Sequence, residues 1–140
     1  MKTDIETLLP AEIVRRASLR GNEYAWPLDD IPLVIDAARQ ANLWNVGGQL
    51  QFRLPDGAVC ECYWVEVTTY RTVAKAPEWP ERVRGSASDA LEQFSKLFEE
   101  FDFLAEGLKA FPDHLGPLID QGHDWRKLAC FVWYVKKQSK

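Results

Sequence analysis

The sequence is poor in whatever would anchor a chain to a membrane or staple it with covalent cross-links. Its longest apolar stretch, Leu128 to Val135, is far shorter than the roughly 20 residues that a spanning helix needs. The opening Met1-Lys2-Thr3-Asp4 leads into acids and Pro10 rather than the apolar run of a signal peptide. The expected location is therefore the cytoplasm, with no membrane partner. Cysteine is scarce, with only Cys60, Cys62 and Cys130, which suits reduced thiols in that compartment. Histidine is scarcer still, with only His114 and His123. No G-x-S-x-G elbow, H-E-x-x-H or phosphate-binding loop occurs, and Gly47-Gly48 lacks the further glycine such a loop requires. A tight strand crossing, or room for Trp64 opposite Gly48, explains that glycine pair better. Internal repeats and low-complexity tracts are lacking as well.

What is present is a globular composition: 140 residues, 46% hydrophobic and 27% charged. That length suits one domain spanning residues 1–140, and about two-thirds of its unfolded surface can be buried without disulfide or metal. The formal net charge of −4 makes nucleic acid an unfavourable partner and a basic protein a favourable one, although the same charge also serves solubility. Tryptophan is the outlier, with six residues that suit cores and interfaces equally well.

The pattern along the chain predicts an α+β fold: N-terminal helices, an antiparallel β-hairpin, a long helix and a C-terminal strand, with the helices packed on one sheet face. Thr3 and Glu6 form a capping box, and Ile13, Val14 and Ala17 continue an apolar face that Gly21 closes as a C-terminal cap. Asn22 to Pro27 reads as a loop. Asp29 or Asp30 caps the next helix, Pro32 sits in its first turn, and Ile31, Val34, Ile35 and Ala38 repeat at helical spacing up to about Asn42. From Trp44 the period changes to two, with Trp44, Val46, Leu50, Phe52 and Leu54 on one face and Asn45, Gln49, Gln51 and Arg53 on the other. Leu54-Pro55-Asp56-Gly57 matches a type I turn with a glycine bulge, which pairs Leu54 with Ala58, Phe52 with Cys60 and Leu50 with Cys62. A two-residue loop would place Phe52 opposite Glu61, so the apolar pattern selects the three-residue form. Ala74 to Ser88 reads as a loop, and Ala87 to Glu106 as the long helix, its apolar face formed by Leu91, Phe94, Phe98, Phe101 and Ala105. A short helix is expected around Leu115 to Gln121. The closing run Leu128 to Val135 reads as a strand buried on both faces.

Candidate chemistry is sparse. Cys60 and Cys62 with the two histidines have the ligand types of a zinc site, but two strand cysteines one residue apart stand roughly 7 Å from each other, too wide for one metal ion. They read better as small core hydrophobes, and no cofactor is expected. A cysteine nucleophile would need a thiolate beside one of the two histidines, which lie on turn-rich chain. Glu66 shares the apolar face with Trp64 and Val46, where it needs either a partner or solvent.

Surface chemistry offers more. Glu23, Tyr24 and Trp26 form an aromatic loop, and Trp79 with Arg82 lies in an arginine-rich one, a composition found at interface hot spots. Trp26 and Trp79 could equally fold back as lids over the core. Glu99 and Glu100, with Glu92, Asp102 and Glu106, give the long helix an acidic face. The leading expectation is thus a non-enzymatic protein-binding module for a basic partner. By size and charge, not by motif, it is comparable to the immunity proteins that neutralise bacterial toxins. The alternative is a small-molecule-binding domain or small enzyme whose pocket is lined by Trp26, Trp44 and Trp64 with Glu66 and Gln49.

Overall fold

A computed structural model describes residues 8–139. The Thr3–Glu6 capping box lies outside the described residues. A short helix α1 (Ala11–Val14) starts behind Pro10 and buries Ile13. The chain then turns extended as β1 (Ser18–Arg20) and β2 (Glu23–Trp26), which pair antiparallel around Gly21-Asn22. Gly21 is therefore a hairpin residue and not a helix cap. Its φ of +61° sits at the first centre of a two-residue turn, where type II′ turns take glycine. The stretch expected to be a loop is thus a strand. With Gly21-Asn22 as its only turn marker, and apolar residues crowded onto four positions, the alternation is too short to read.

Helix α2 (Ile31–Gln40) follows a single 3₁₀ turn at Leu28–Asp30. It buries Ile31, Val34, Ile35 and Ala38, as their spacing predicts. It ends where Asn42 takes φ +64°. Leu43 N–H then donates to Ala38 and Asn42 N–H to Arg39, the double closure of a Schellman cap.

Strands β3 (Trp44–Arg53) and β4 (Val59–Thr68) form the expected hairpin, pairing Leu50 with Cys62 and Phe52 with Cys60. Two bulges modify it. Between Gln49 and Leu50 the partner jumps from Glu66 to Cys62, so β4 carries Tyr63, Trp64 and Val65 outside the ladder. A second shift between Asn45 and Gly47, against the last strand, changes which face the start of β3 presents. Asn45 is consequently buried on the helix side instead of lying among the exposed polar residues. Trp64 does not sit opposite Gly48, whose ladder partners are Val67 and Trp133. The glycine pair marks close strand crossings, since a Cβ at Gly47 would strike the Val67 carbonyl and one at Gly48 the Val132 carbonyl.

Beyond the hairpin lie α3 (Tyr70–Ala74) and α4 (Trp79–Glu100). Most of the loop expected over 74–88 is helical, because Pro80 occupies the first turn of α4, where its missing N–H costs nothing. The long helix stops at Phe101. Asp102 caps a new helix, α5 (Phe103–Ala110), by accepting from Ala105 N–H, so it is a cap and not part of an acidic face. Helices α6 (Pro112–Asp120) and α7 (Trp125–Leu128) lead into β5 (Ala129–Lys136).

The five strands form one antiparallel sheet in the order β1-β2-β5-β3-β4, so the C-terminal strand lies at its centre, as its apolar run implies. The helices pack on one face, giving an α+β fold with the main core between them and Tyr24, Trp26, Leu50, Phe52, Cys60, Cys62, Phe131 and Trp133. Asn45 is the polar keystone of this core. Its side chain donates to the Ile35 carbonyl at 3.1 Å and accepts from the Trp133 indole N–H at 2.9 Å. Among the described residues no helix is long and apolar enough to cross a membrane.

Candidate functional site

Alternation along the strands sends a second set of side chains to the face without helices. There β2 presents Glu23 and Ala25, β3 Gln49, Gln51 and Arg53, β4 Val59 and Glu61, and β5 Cys130, Val132 and Tyr134. Ala25, Cys130 and Val132 make a small apolar floor of their own. Over it runs one connected chain of hydrogen bonds that reaches all five strands. The Gln49 amide donates to Glu61 at 2.9 Å and to the Tyr134 hydroxyl at 3.3 Å. Tyr134 donates in turn to one oxygen of Glu23, and the Gln51 amide donates to the other at 3.2 Å. Arg53 closes the chain, giving Nε–H to the Gln51 carbonyl oxygen at 3.0 Å and Nη1–H to the Ser18 backbone and hydroxyl oxygens at 2.8 and 2.9 Å. Its Nη2 donates to the Glu23 backbone at 3.0 Å.

The electrostatics of this face are unusual in one respect. Glu23 and Glu61 are held by neutral amide and phenol donors, and neither forms an ion pair among the described residues. Burial, reinforced by the bond to Glu23, pushes the Tyr134 phenol up to about 12, so it remains a donor at neutral pH. Val59, Tyr63 and Tyr134 are 41%, 69% and 38% exposed, so apolar and aromatic surface lies beside the two carboxylates. At one end Lys136 stacks on Trp44, and Arg53 closes the other.

The arrangement positions charge and does not activate a nucleophile. All three cysteines are buried, and burial pushes Cys62 to about 12 and Cys130 to about 11, which keeps both protonated and unreactive at neutral pH. His114 and His123 are exposed, and no cluster that could hold a metal ion occurs among the described residues.

The residues singled out from sequence are distributed widely. Glu23 lies in the network. Tyr24 and Trp26 belong to the core, with Trp26 fully buried and its indole N–H bonded to the Ile13 carbonyl at 2.8 Å, so neither offers a surface for a partner. Trp79 and Arg82 fasten the start of α4, donating to the Asn42 and Ala76 carbonyls at 2.9 and 2.7 Å. Glu99 and Glu100 are exposed in the last turn of α4, the helix that packs on the opposite side of the sheet from Glu23. The three tryptophans expected to line one pocket go to different partners: Trp26 to Ile13, Trp44 to Thr69 and Trp64 to Glu106. Glu66 is exposed opposite Gln49, so it lies on the open face and not on the apolar face expected for it, because the bulge after Cys62 changes the register.

Strand alternation places Gln49, Gln51, Arg53 and Glu61 on strand faces without joining them, and nothing in it singles out Tyr134. The available signal was a tyrosine closing an otherwise apolar strand, facing polar positions on its neighbour. Comparison with protein-family models, with curated proteins and with solved structures found no match.

Proposed function

We propose that this chain is a non-enzymatic protein-binding module of the cytoplasm that captures a basic protein on the open face of its sheet. The observation that carries this reading is the pair Glu23 and Glu61, fixed by Tyr134, Gln49 and Gln51, with neither in an ion pair among the described residues. A carboxylate oriented by neutral donors keeps its full charge for an incoming lysine or arginine and gives up little rotamer entropy on binding. The neighbouring Tyr63, Tyr134 and Val59 supply aromatic and apolar area of the kind that dominates interface energetics. The net charge of −4 favours the approach of a basic partner over longer range. Tight neutralising capture, as practised by immunity proteins against toxins, is the concrete form proposed. The likeness is one of size and charge.

The test is affinity capture from the native host with the wild-type chain and with a Glu23→Gln/Glu61→Lys variant, each washed at low and high salt. Retention of one basic protein in stoichiometric amount by the wild type, and its loss from the variant, supports the reading. Equal retention by both moves the interface off this face.

A further inference from the structure

Beside the open face lies a groove of about 470 Å³ with the opposite electrostatic character, between β1 and the α7–β5 junction. Its wall holds Arg16, Arg20, Arg53, Arg126 and Lys127, and no acidic residue among the described residues, in a protein whose net charge is −4. Two of these cations are neutralised from outside the groove, Arg16 by Asp30 at 3.4 Å and Arg126 by Asp29 at 2.8 Å. The other three have no carboxylate partner among the described residues.

Arg20 and Arg53 are the informative pair. Arg20 donates to the carbonyls of Ala58 and Leu54 at 3.0 and 2.9 Å, and Arg53 to backbone, hydroxyl and amide oxygens only. Both guanidinium groups are therefore locked in place by neutral acceptors, and neither forms an ion pair among the described residues, although Glu23 lies close enough to Arg53 to screen part of its charge. Arg53 is 8% exposed, and burial together with the neighbouring Arg20 opposes its charge, a cost that a bound anion would relieve. Arg126 and Lys127 stand at the exposed rim, where their remaining donors are free to close over a ligand. Ser18, at the same wall, accepts from Arg53 and keeps its own hydroxyl proton to give. Ala17, Pro27, Leu128 and Ala129 add apolar surface for the organic part of a ligand.

We infer that this groove binds a small phosphate monoester, its phosphate held by Arg20, Arg53 and the Arg126–Lys127 rim. Several guanidinium groups lining one groove, two of them fixed, suit a dianionic phosphate, with its three terminal oxygens, better than a carboxylate. The volume falls in the range of small-ligand sites and holds one ligand of mononucleotide size. This inference goes beyond the proposed protein-binding role and stands or falls without it.

Isothermal titration calorimetry on the full chain tests it, using AMP as the monoester, adenosine as its neutral parent and inorganic phosphate as competitor. The expected result is AMP binding at a Kd of about 1 mM or tighter, displaced by phosphate, with no heat from adenosine. Arg126→Gln with Lys127→Gln, both exposed in the wild type, should weaken AMP at least about tenfold and leave the unfolding midpoint in place. No heat from either AMP or phosphate up to about 10 mM overturns the inference. So does adenosine binding as well as AMP, or the double variant binding as the wild type does.

Discussion

The two faces of the sheet are made by the same five strands and hold their side chains in place by different physics. On the helix side, Leu50, Phe52, Phe131 and Trp133 are packed against α2 and α4, with Asn45, Thr69 and Ser86 as satisfied polar insertions. On the open side, Gln51 and Arg53 are almost as inaccessible, at 1% and 8%, yet they are held by hydrogen bonds above a small apolar floor. Packing fixes shape and tolerates few changes in volume. A hydrogen-bonded surface fixes the direction of charges while leaving them open to a partner. The first arrangement suits a scaffold and the second a recognition surface.

That contrast can be broken most forcefully from the helix side. Phe131→Ala should lower the stability measured by urea unfolding by about 3–5 kcal/mol, since it opens a cavity against Phe94 and Trp133. Asn45→Ala should cost about 1–3 kcal/mol by the same measurement, because it strands the buried Trp133 indole N–H, whereas the Ile35 carbonyl keeps its helical bond. A loss below about 1 kcal/mol in either variant would remove the claim that this face carries the fold.

Alkaline titration sharpens the comparison. Burial raises the pKa of Cys62 to about 12 and of Cys130 to about 11, from an ordinary 9.0, and that of Tyr134 to about 12 from 10.0. The folded chain thus holds protons that the unfolded chain releases. Stability should be level below about pH 9 and decline as pH rises toward about 12. Cys62 contributes from the helix side, Cys130 and Tyr134 from the open side. Cys130→Ala with Tyr134→Phe should therefore make the decline shallower without abolishing it, as followed by thermal melts across that range. The smallest effect is expected from Glu61→Gln, which keeps the side chain's shape and should change stability by no more than about 0.5 kcal/mol.

The sequence made the apolar half of this molecule legible and left much of the polar half hidden. Helix α2, the Leu50–Cys62 and Phe52–Cys60 register and the central position of β5 all follow from hydrophobic period, and each is present. What escaped depends on exceptions to period. The bulge that lifts Tyr63 and Trp64 out of the β4 ladder, and the shift that turns Asn45 inward, each insert residues that alternation cannot anticipate. Strand β2 was obscured because Tyr24, Ala25 and Trp26 are all buried, leaving no alternation to see. Of the residues expected to bind a protein partner only Glu23 reached the open-face network, and Gln49 joined it from the residues expected to line a pocket, since Gln51 and Tyr134 come from strands distant in sequence from Glu23.

If the open face serves recognition and is not needed for the fold, one variant, Tyr63→Ala with Glu61→Lys, separates the two roles when urea unfolding and capture of the native partner are measured on the same preparation. The unfolding midpoint should stay close to that of the wild type while the captured protein is lost. Full capture by the variant, or a collapse of stability that accompanies the loss, would show that the open face is not a recognition surface separable from the fold.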